Sequence, residues 1–192
     1  MKYINKSLTI EKVKAQDIAK KFGTPIYCYS YKQLKDNINT FKKSFKSFSP
    51  LICFAIKSNT NVGLIREIKK FGLGADVVSI GELMMALKAG INPKKIVFSG
   101  VGKTSNEISY AIDKKILLIN AESKSEINEI ERIAKSKQKI VNIGIRLNPN
   151  TDAKTLKQIS TGKKENKFGV DEKTFFDLVN YCKLSKNINL KC

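Results

Sequence analysis

The chain has 192 residues, of which 36 are Lys or Arg and 17 are Asp or Glu, so its formal net charge is +19. It contains no His, which excludes a Ser-His-Asp triad, a Cys-His pair and any metal site with a His ligand. The hydrophobic fraction of 42% and the charged fraction of 28% are typical of a globular protein and exclude a disordered chain.

The first fifty residues predict two helices with a short strand between them. Apolar residues at helical spacing predict a helix over residues 9–22, which Gly23 can end. Residues 24–29 are predicted as a short strand, with Pro near its start. Ser30 can cap a second helix that carries Leu34, Ile38, Phe41 and Phe45.

From residue 51 a strand–helix unit repeats. Its short apolar runs begin at Ile52, Ala75, Ile96, Ile116 and Val141. Three of the helices between them start with the capping-box pattern S/T-x-x-E, at Ser79, Thr104 and Ser123. The repeat predicts parallel strands, and because the runs are continuously apolar, we expect helices on both faces of the sheet.

Two α/β architectures fit this repeat, a (β/α)8 TIM barrel and a doubly wound open sheet. No G-x-G-x-x-G follows the first strand, which disfavours a dinucleotide-binding sheet. Five strands are complete by Pro149, a longer loop follows over residues 150–167, Asp171 caps a helix, and a sixth strand begins at Ile188. Since a full barrel needs about 250 residues, we expect a barrel truncated after five to six βα units.

The basic charge invites a nucleic-acid interpretation. Only three of the 36 cationic residues are Arg, the side chain that predominates in reading bases and phosphates, and the lysines are spread along the whole chain. We therefore expect a lysine-rich surface and no nucleic-acid partner, and a basic nucleic-acid-binding module stays as the less favoured alternative.

The four cysteines contain no C-x-x-C pair, so no metal site is expected. No apolar run approaches the ~20 residues of a membrane span, and the N-terminus lacks the apolar segment of a secretory signal. We expect a cytoplasmic protein with no membrane partner.

Lys57 closes the first strand of the repeat. Chemistry in parallel barrels and open sheets lies at the carboxyl ends of strands. An amine flanked there by apolar residues is expected to be partly desolvated, which frees the lone pair that a Schiff base needs. The alternative is an ordinary lysine at a strand end.

Two charged residues lie in otherwise apolar strands, Asp76 in the second and Arg146 in the fifth. A charge in such a strand needs a partner or a ligand. The spacing leaves both open: the two side chains contact a ligand, or they form a buried pair with each other.

Six motifs, in this order and spacing, resemble the N-terminal half of the diaminopimelate decarboxylase family: FAIKSNTN, GLGADVVSIGEL, IVFSGVGKTSNEI, INAES, IRLNPN and ISTGKKENKFGV. That family belongs to the fold-type III enzymes that use pyridoxal phosphate, with alanine-racemase-like barrels. The resemblance covers essentially all of residues 9–192. Ornithine and arginine decarboxylases share only part of this set.

The resemblance implies a pyridoxal-phosphate-binding barrel that, as a full-length homodimeric enzyme, decarboxylates meso-2,6-diaminopimelate to L-lysine, the last step of lysine biosynthesis. Pyridoxal phosphate would be the cofactor and a small amino acid the substrate. Another fold-type III enzyme remains the alternative: an arginine, ornithine or carboxynorspermidine decarboxylase, or an amino-acid racemase.

The resemblance also implies residue roles. Lys57 matches the lysine that binds pyridoxal phosphate as a Schiff base, and Asp76 and Arg146 match positions that line the cofactor. Glu82 matches a nearby acidic position. A loop that closes over the active site would place three residues near the substrate: Ile159, Ser160 and Thr161.

The sequence departs from the family in two ways. Leu156 lies where members often have a His, so no His-dependent chemistry is expected of this loop. The family's His that stacks on the cofactor, its glycine-rich phosphate site and its β-domain have no counterpart here. We therefore expect residues 1–30 to belong with a β-domain outside this sequence, residues 31–192 to form part of the barrel, and the 192-residue chain alone to be inactive.

Overall fold

The computed structural model of the chain describes residues 1–151 and 168–192. Contacts between residues divide it into two units, Met1–Pro50 and Leu51–Cys192. No helix in the described part of the chain has both the length and the apolar sequence that crossing a membrane requires. The assignment of residues 1–30 to a β-domain stays a prediction.

In the first unit, three short strands form an antiparallel sheet in the order β1–β2–β3, and two helices follow. The elements are β1 (Lys2–Ile4), β2 (Ser7–Ile10), β3 (Val13–Lys14), α1 (Ala15–Phe22) and α2 (Tyr31–Ser44). Ser30 caps α2 as predicted, because its hydroxyl accepts a hydrogen bond from the N–H of Gln33. The strand predicted over residues 24–29 is wrong, since this segment pairs with no strand among residues 1–151 and 168–192.

The helix predicted over residues 9–22 is wrong before Ala15. Ile10 and Val13 pair across the hairpin that joins β2 to β3, and the turn residue Glu11 has a left-handed φ of 57°. Apolar residues three apart fit one face of a helix and also the paired positions of a tight hairpin. Local spacing alone could not separate the two.

In the second unit, six parallel strands alternate with five helices among the described residues. The strands are β4 (Cys53–Ala55), β5 (Gly74–Val77), β6 (Ile96–Phe98), β7 (Leu118–Ala121), β8 (Val141–Ile145) and β9 (Ile188–Leu190). The helices are α3 (Val62–Lys70), α4 (Ile80–Lys88), α5 (Ser105–Asp113), α6 (Lys124–Ser136) and α7 (Glu172–Leu184).

The strands of this sheet follow one another in chain order from β4 to β9. A doubly wound sheet reverses its strand order at a switch point, whereas a (β/α)8 barrel adds every strand at the same edge. The order therefore confirms the partial barrel and its six predicted strands. It leaves β4 and β9 at the two edges of the sheet.

The core lies between this sheet and its helices. Strands β5, β6 and β8 are mostly buried, which confirms that both faces of the sheet are covered. The helices bury an aliphatic stripe against the strands, with Ile65, Leu83, Ile108, Ile127, Ile130 and Leu178 as its main members. Because these aliphatic side chains fill the interior, several polar side chains of the sheet lie at the carboxyl ends of its strands.

Of the three predicted capping boxes, the one at Thr104 is complete, with hydrogen bonds in both directions. At Ser79 and Ser123 the serine accepts a hydrogen bond from the N–H of the glutamate as predicted. The glutamate carboxylate, however, accepts from the residue before the cap, Val78 in one case and Glu122 in the other. These two carboxylates therefore fix the end of the preceding strand as well as the start of the helix.

Candidate active site

A cavity of about 730 Å³ opens at the carboxyl ends of strands β4 to β8. Three predicted site residues, Lys57, Asp76 and Arg146, line it together. The other lining residues are Val78, Ser99, Gly100, Val101, Asn120, Glu122, Ile145 and Phe168. The predicted loop residues lie outside the described part of the chain: Ile159, Ser160 and Thr161.

Lys57 lies in a single 3₁₀ turn, Ile56–Ser58, directly after β4. Ile56 is fully buried, which anchors the turn, but Lys57 itself is exposed. The desolvation expected from its apolar neighbours is thus not supplied by the described residues. Within residues 1–151 and 168–192, its amine has no hydrogen-bonding or ionic partner, and it is accessible to a ligand in the cavity.

Asp76 ends a chain of hydrogen bonds that crosses three neighbouring strand ends. The Asn120 side-chain amide donates to Ser99 Oγ at 3.1 Å, and Ser99 Oγ donates to Asp76 Oδ1 at 2.6 Å. Gly144 on β8 makes room for this chain, because a Cβ there would lie 2.5 Å from Asn120 Oδ1. The Asp76 carboxylate is therefore held in place by uncharged groups.

Arg146 follows β8 and pairs with Glu122, the residue after β7, with 3.0 Å between Nη1 and Oε1. Its guanidinium also lies 4.9 Å from the ring centroid of Phe168, within the range of a cation–π contact. The buried pair considered between Asp76 and Arg146 is not formed among the described residues. The carboxylate that neutralises Arg146 is that of Glu122.

Glu122 binds a second group besides Arg146. Its Oε2 accepts a hydrogen bond from the N–H of Gly169 at 2.9 Å. Gly169 has a φ of 74°, and a Cβ there would lie 2.6 Å from the carbonyl oxygen of Arg146. Only glycine allows this close approach, which seats the segment carrying Phe168 against the end of β8.

Cys53 on β4 is a half-buried thiol whose ionisation is affected by Asp76. Burial raises the pKa of the Cys53 thiol, and the charge of Asp76 raises it further. Both effects disfavour the thiolate. The thiol therefore stays protonated at neutral pH.

Three residues of the cavity wall were not predicted as site residues: Ser99, Asn120 and Glu122. Each follows or ends an apolar strand, so its position at the carboxyl edge of the sheet was available as a signal. The side-chain hydrogen-bonding partner of each residue lies more than 20 positions away in the sequence, as Arg146 does from Glu122. The spacing of residues in the sequence does not reveal such partners.

Comparison with known proteins identifies similar chains. A family model for the pyridoxal-dependent decarboxylases, pyridoxal binding domain, matches residues 31–191. The chain is 46% identical over 170 residues to the diaminopimelate decarboxylase of Helicobacter pylori strain J99, which covers 88% of this chain and 42% of that protein.

Solved structures give the same likeness. The crystal structure of diaminopimelate decarboxylase from Helicobacter pylori complexed with L-lysine matches with a TM-score of 0.89 and 44% identity, over 91% of this chain and 44% of that one. The enzyme from M. jannaschii in co-complex with L-lysine matches with a TM-score of 0.91 and 36% identity, over 98% and 45%. The chain thus spans less than half the length of the relatives it matches.

Proposed function

The chain belongs to the family of pyridoxal-dependent decarboxylases, whose pyridoxal-binding domain it carries, and from that premise we propose that the protein decarboxylates meso-2,6-diaminopimelate to L-lysine. Similar proteins named diaminopimelate decarboxylase, two of them solved with L-lysine, support the choice of substrate. The observation that carries the proposal is the convergence of Lys57, Asp76 and Arg146 on one cavity.

The donor set of the cavity fits pyridoxal phosphate, the cofactor of this family. The cofactor carries an aldehyde, and Lys57 offers an accessible primary amine that can hold it covalently. It also carries anionic and cationic groups, for which the wall supplies the Arg146 guanidinium and the Asp76 carboxylate. When bound, pyridoxal phosphate supplies the electron sink that receives the electron pair left by the departing carboxyl group.

The residues of this chain bind and orient the charged groups of a ligand, and they exclude water from the cavity. Asp76, fixed by Ser99, presents a negative charge that balances positive charge on a bound group. Arg146, fixed by Glu122, presents N–H donors to an anionic group such as a carboxylate. The apolar part of the wall keeps water from the reacting bond: Val78, Val101 and Ile145.

The proposed localisation, oligomeric state, partners and loop residues rest on the resemblance to the diaminopimelate decarboxylase family. The protein acts as a cytoplasmic homodimer with a small amino acid as its substrate and no nucleic-acid partner. By the resemblance, three residues outside the described part of the chain are assigned to a loop near the substrate: Ile159, Ser160 and Thr161. The lysine-dominated charge, with only three arginines, supports the absence of a specific nucleic-acid site.

The covalent assignment is tested by reducing the protein with borohydride in the presence of pyridoxal phosphate. We expect a stoichiometric pyridoxyl adduct on the peptide that contains Lys57. Lys57→Ala should abolish the adduct, whereas the exposed control Lys70→Ala should retain it. An adduct on another lysine, or none, refutes the assignment.

The choice of substrate is tested by measuring carbon dioxide release from a panel of amino acids. From the full-length protein we expect release with meso-diaminopimelate and none with ornithine, arginine or carboxynorspermidine. Preferential release from one of the other three, or racemisation without release, would identify a different fold-type III enzyme.

A further inference from the structure

Among the described residues of the second unit, Lys103 is a lysine with a buried side chain, in contrast to the lysine-rich surface. The side chain of Lys103 is only 1% exposed and lies between the ends of β6 and β7. Its Nζ lies 2.6 Å from the carbonyl oxygen of Gly100, 2.7 Å from that of Asn120 and 2.6 Å from Glu126 Oε1. All three ammonium donors are therefore used, and Glu126, which is 8% exposed, neutralises the charge.

The two carbonyl groups that Lys103 binds belong to residues that line the cavity. Gly100 lies in the loop after β6, where its φ of 93° favours glycine. Asn120 is the first residue of the hydrogen-bond chain that holds Asp76 through Ser99. Lys103 thus fixes the backbone of the residue from which that chain starts.

Glu126 extends the same arrangement to Glu122, another residue that lines the cavity. Its second carboxylate oxygen accepts a hydrogen bond from the backbone N–H of Glu122 at 3.1 Å. The side chain of Glu122 in turn holds Arg146 and the N–H of Gly169. The backbone position of Glu122 therefore depends on Glu126.

A buried ion pair is weak evidence for stability, because desolvation of the two charges offsets most of their attraction. Here both partners also form hydrogen bonds to the backbone of residues that line the cavity. From this we infer that Lys103 and Glu126 are positioning residues, which set the polar wall formed by Asp76, Asn120, Glu122 and Arg146. The inference rests on the proposed function of that wall.

The test replaces the pair by apolar side chains of similar length, as Lys103→Met with Glu126→Leu, in the full-length protein loaded with pyridoxal phosphate. Two quantities are measured besides thermal unfolding: the Kd for pyridoxal phosphate, from the absorbance of the bound cofactor, and kcat/KM. Because a displacement of about 1 Å can cost about 100-fold in rate, we expect kcat/KM to fall by about that factor. The Kd should rise, and thermal unfolding shows whether the double variant is folded.

The matched control is Lys137→Met, which removes a lysine paired with Asp113 outside the cavity wall and should leave both quantities unchanged. A double variant that folds with wild-type Kd and kcat/KM overturns the inference but leaves the proposed function standing. If the double variant does not fold, Glu126→Gln is judged by the same two measurements. A wild-type protein that does not bind pyridoxal phosphate at Lys57 refutes the proposed function instead.

Discussion

The guanidinium of Arg146 lies 3.0 Å from the carboxylate of Glu122, across the carboxyl ends of two neighbouring strands. Burial is unequal within this pair, since the side chain of Glu122 is 3% exposed and that of Arg146 is 37% exposed. Water can solvate the guanidinium but not the carboxylate. The carboxylate therefore depends more on its partner than the guanidinium does.

Arg146→Met should consequently destabilise the fold by about 3 kcal/mol, because it leaves a buried carboxylate without its counter-ion. Glu122→Gln should cost less, about 1 kcal/mol, since it removes the buried charge and keeps hydrogen-bonding atoms. Urea denaturation measures both. Arg132→Met, which breaks an exposed pair, is the control and should show no measurable change. Equal losses for the first two variants would contradict the unequal dependence.

Gly144→Ala should destabilise the fold by about 1–3 kcal/mol, because the added Cβ would lie 2.5 Å from Asn120 Oδ1 and 2.7 Å from Cys192 Sγ. The same added methyl group at Gly81, in the exposed face of α4, meets nothing closer than 3.8 Å. Gly81→Ala should therefore stabilise the fold, by up to about 1 kcal/mol. Thermal unfolding of the two variants checks the opposite signs, and a neutral Gly144→Ala would show that the strand ends can separate.

Asp113 accepts hydrogen bonds from Lys137 and Lys139, which lower the pKa of its carboxyl from 3.8 to about 2. A carboxyl with a lower pKa in the folded state stabilises that state above the unfolded pKa, and the contribution is lost as the pH falls toward 2. Asp113→Asn should therefore flatten the loss of stability between about pH 4 and pH 2. Urea midpoints measured across this range test it, and high salt should shrink the difference because the group is exposed. Parallel pH profiles for wild type and variant would contradict it.

The 192-residue chain produced by itself should release no carbon dioxide from meso-diaminopimelate. It spans less than half the length of its relatives, its sheet has open edges at β4 and β9, and Lys57 is exposed to solvent. Open edge strands also predict association of the isolated chain. Gas release and light scattering measure the two effects, and turnover by a monomer would contradict both expectations.

The partial barrel could be predicted because continuous apolar runs and helical periods recur at a regular interval. Convergence of Lys57, Asp76 and Arg146 followed from it, since parallel strands bring their carboxyl ends to one edge. The ion-pair partner of Arg146 could not be predicted from the sequence. Whether its guanidinium contacts Asp76 or Glu122 depends on the direction of side chains at neighbouring strand ends. The hairpin at β2 and β3 was missed because its spacing also fits a helix.

Lys57 and Lys103, two lysines of the described part of the chain, carry the same amine near the cavity and differ in access. Lys103 has every N–H engaged and almost no exposed surface, so an incoming electrophile meets neither a free lone pair nor a path to the nitrogen. Lys57 is open on the same side of the sheet. An aldehyde would therefore react with Lys57 and not with Lys103 even if the two amines were equally nucleophilic. The fold buries the nitrogen of Lys103 and leaves that of Lys57 accessible.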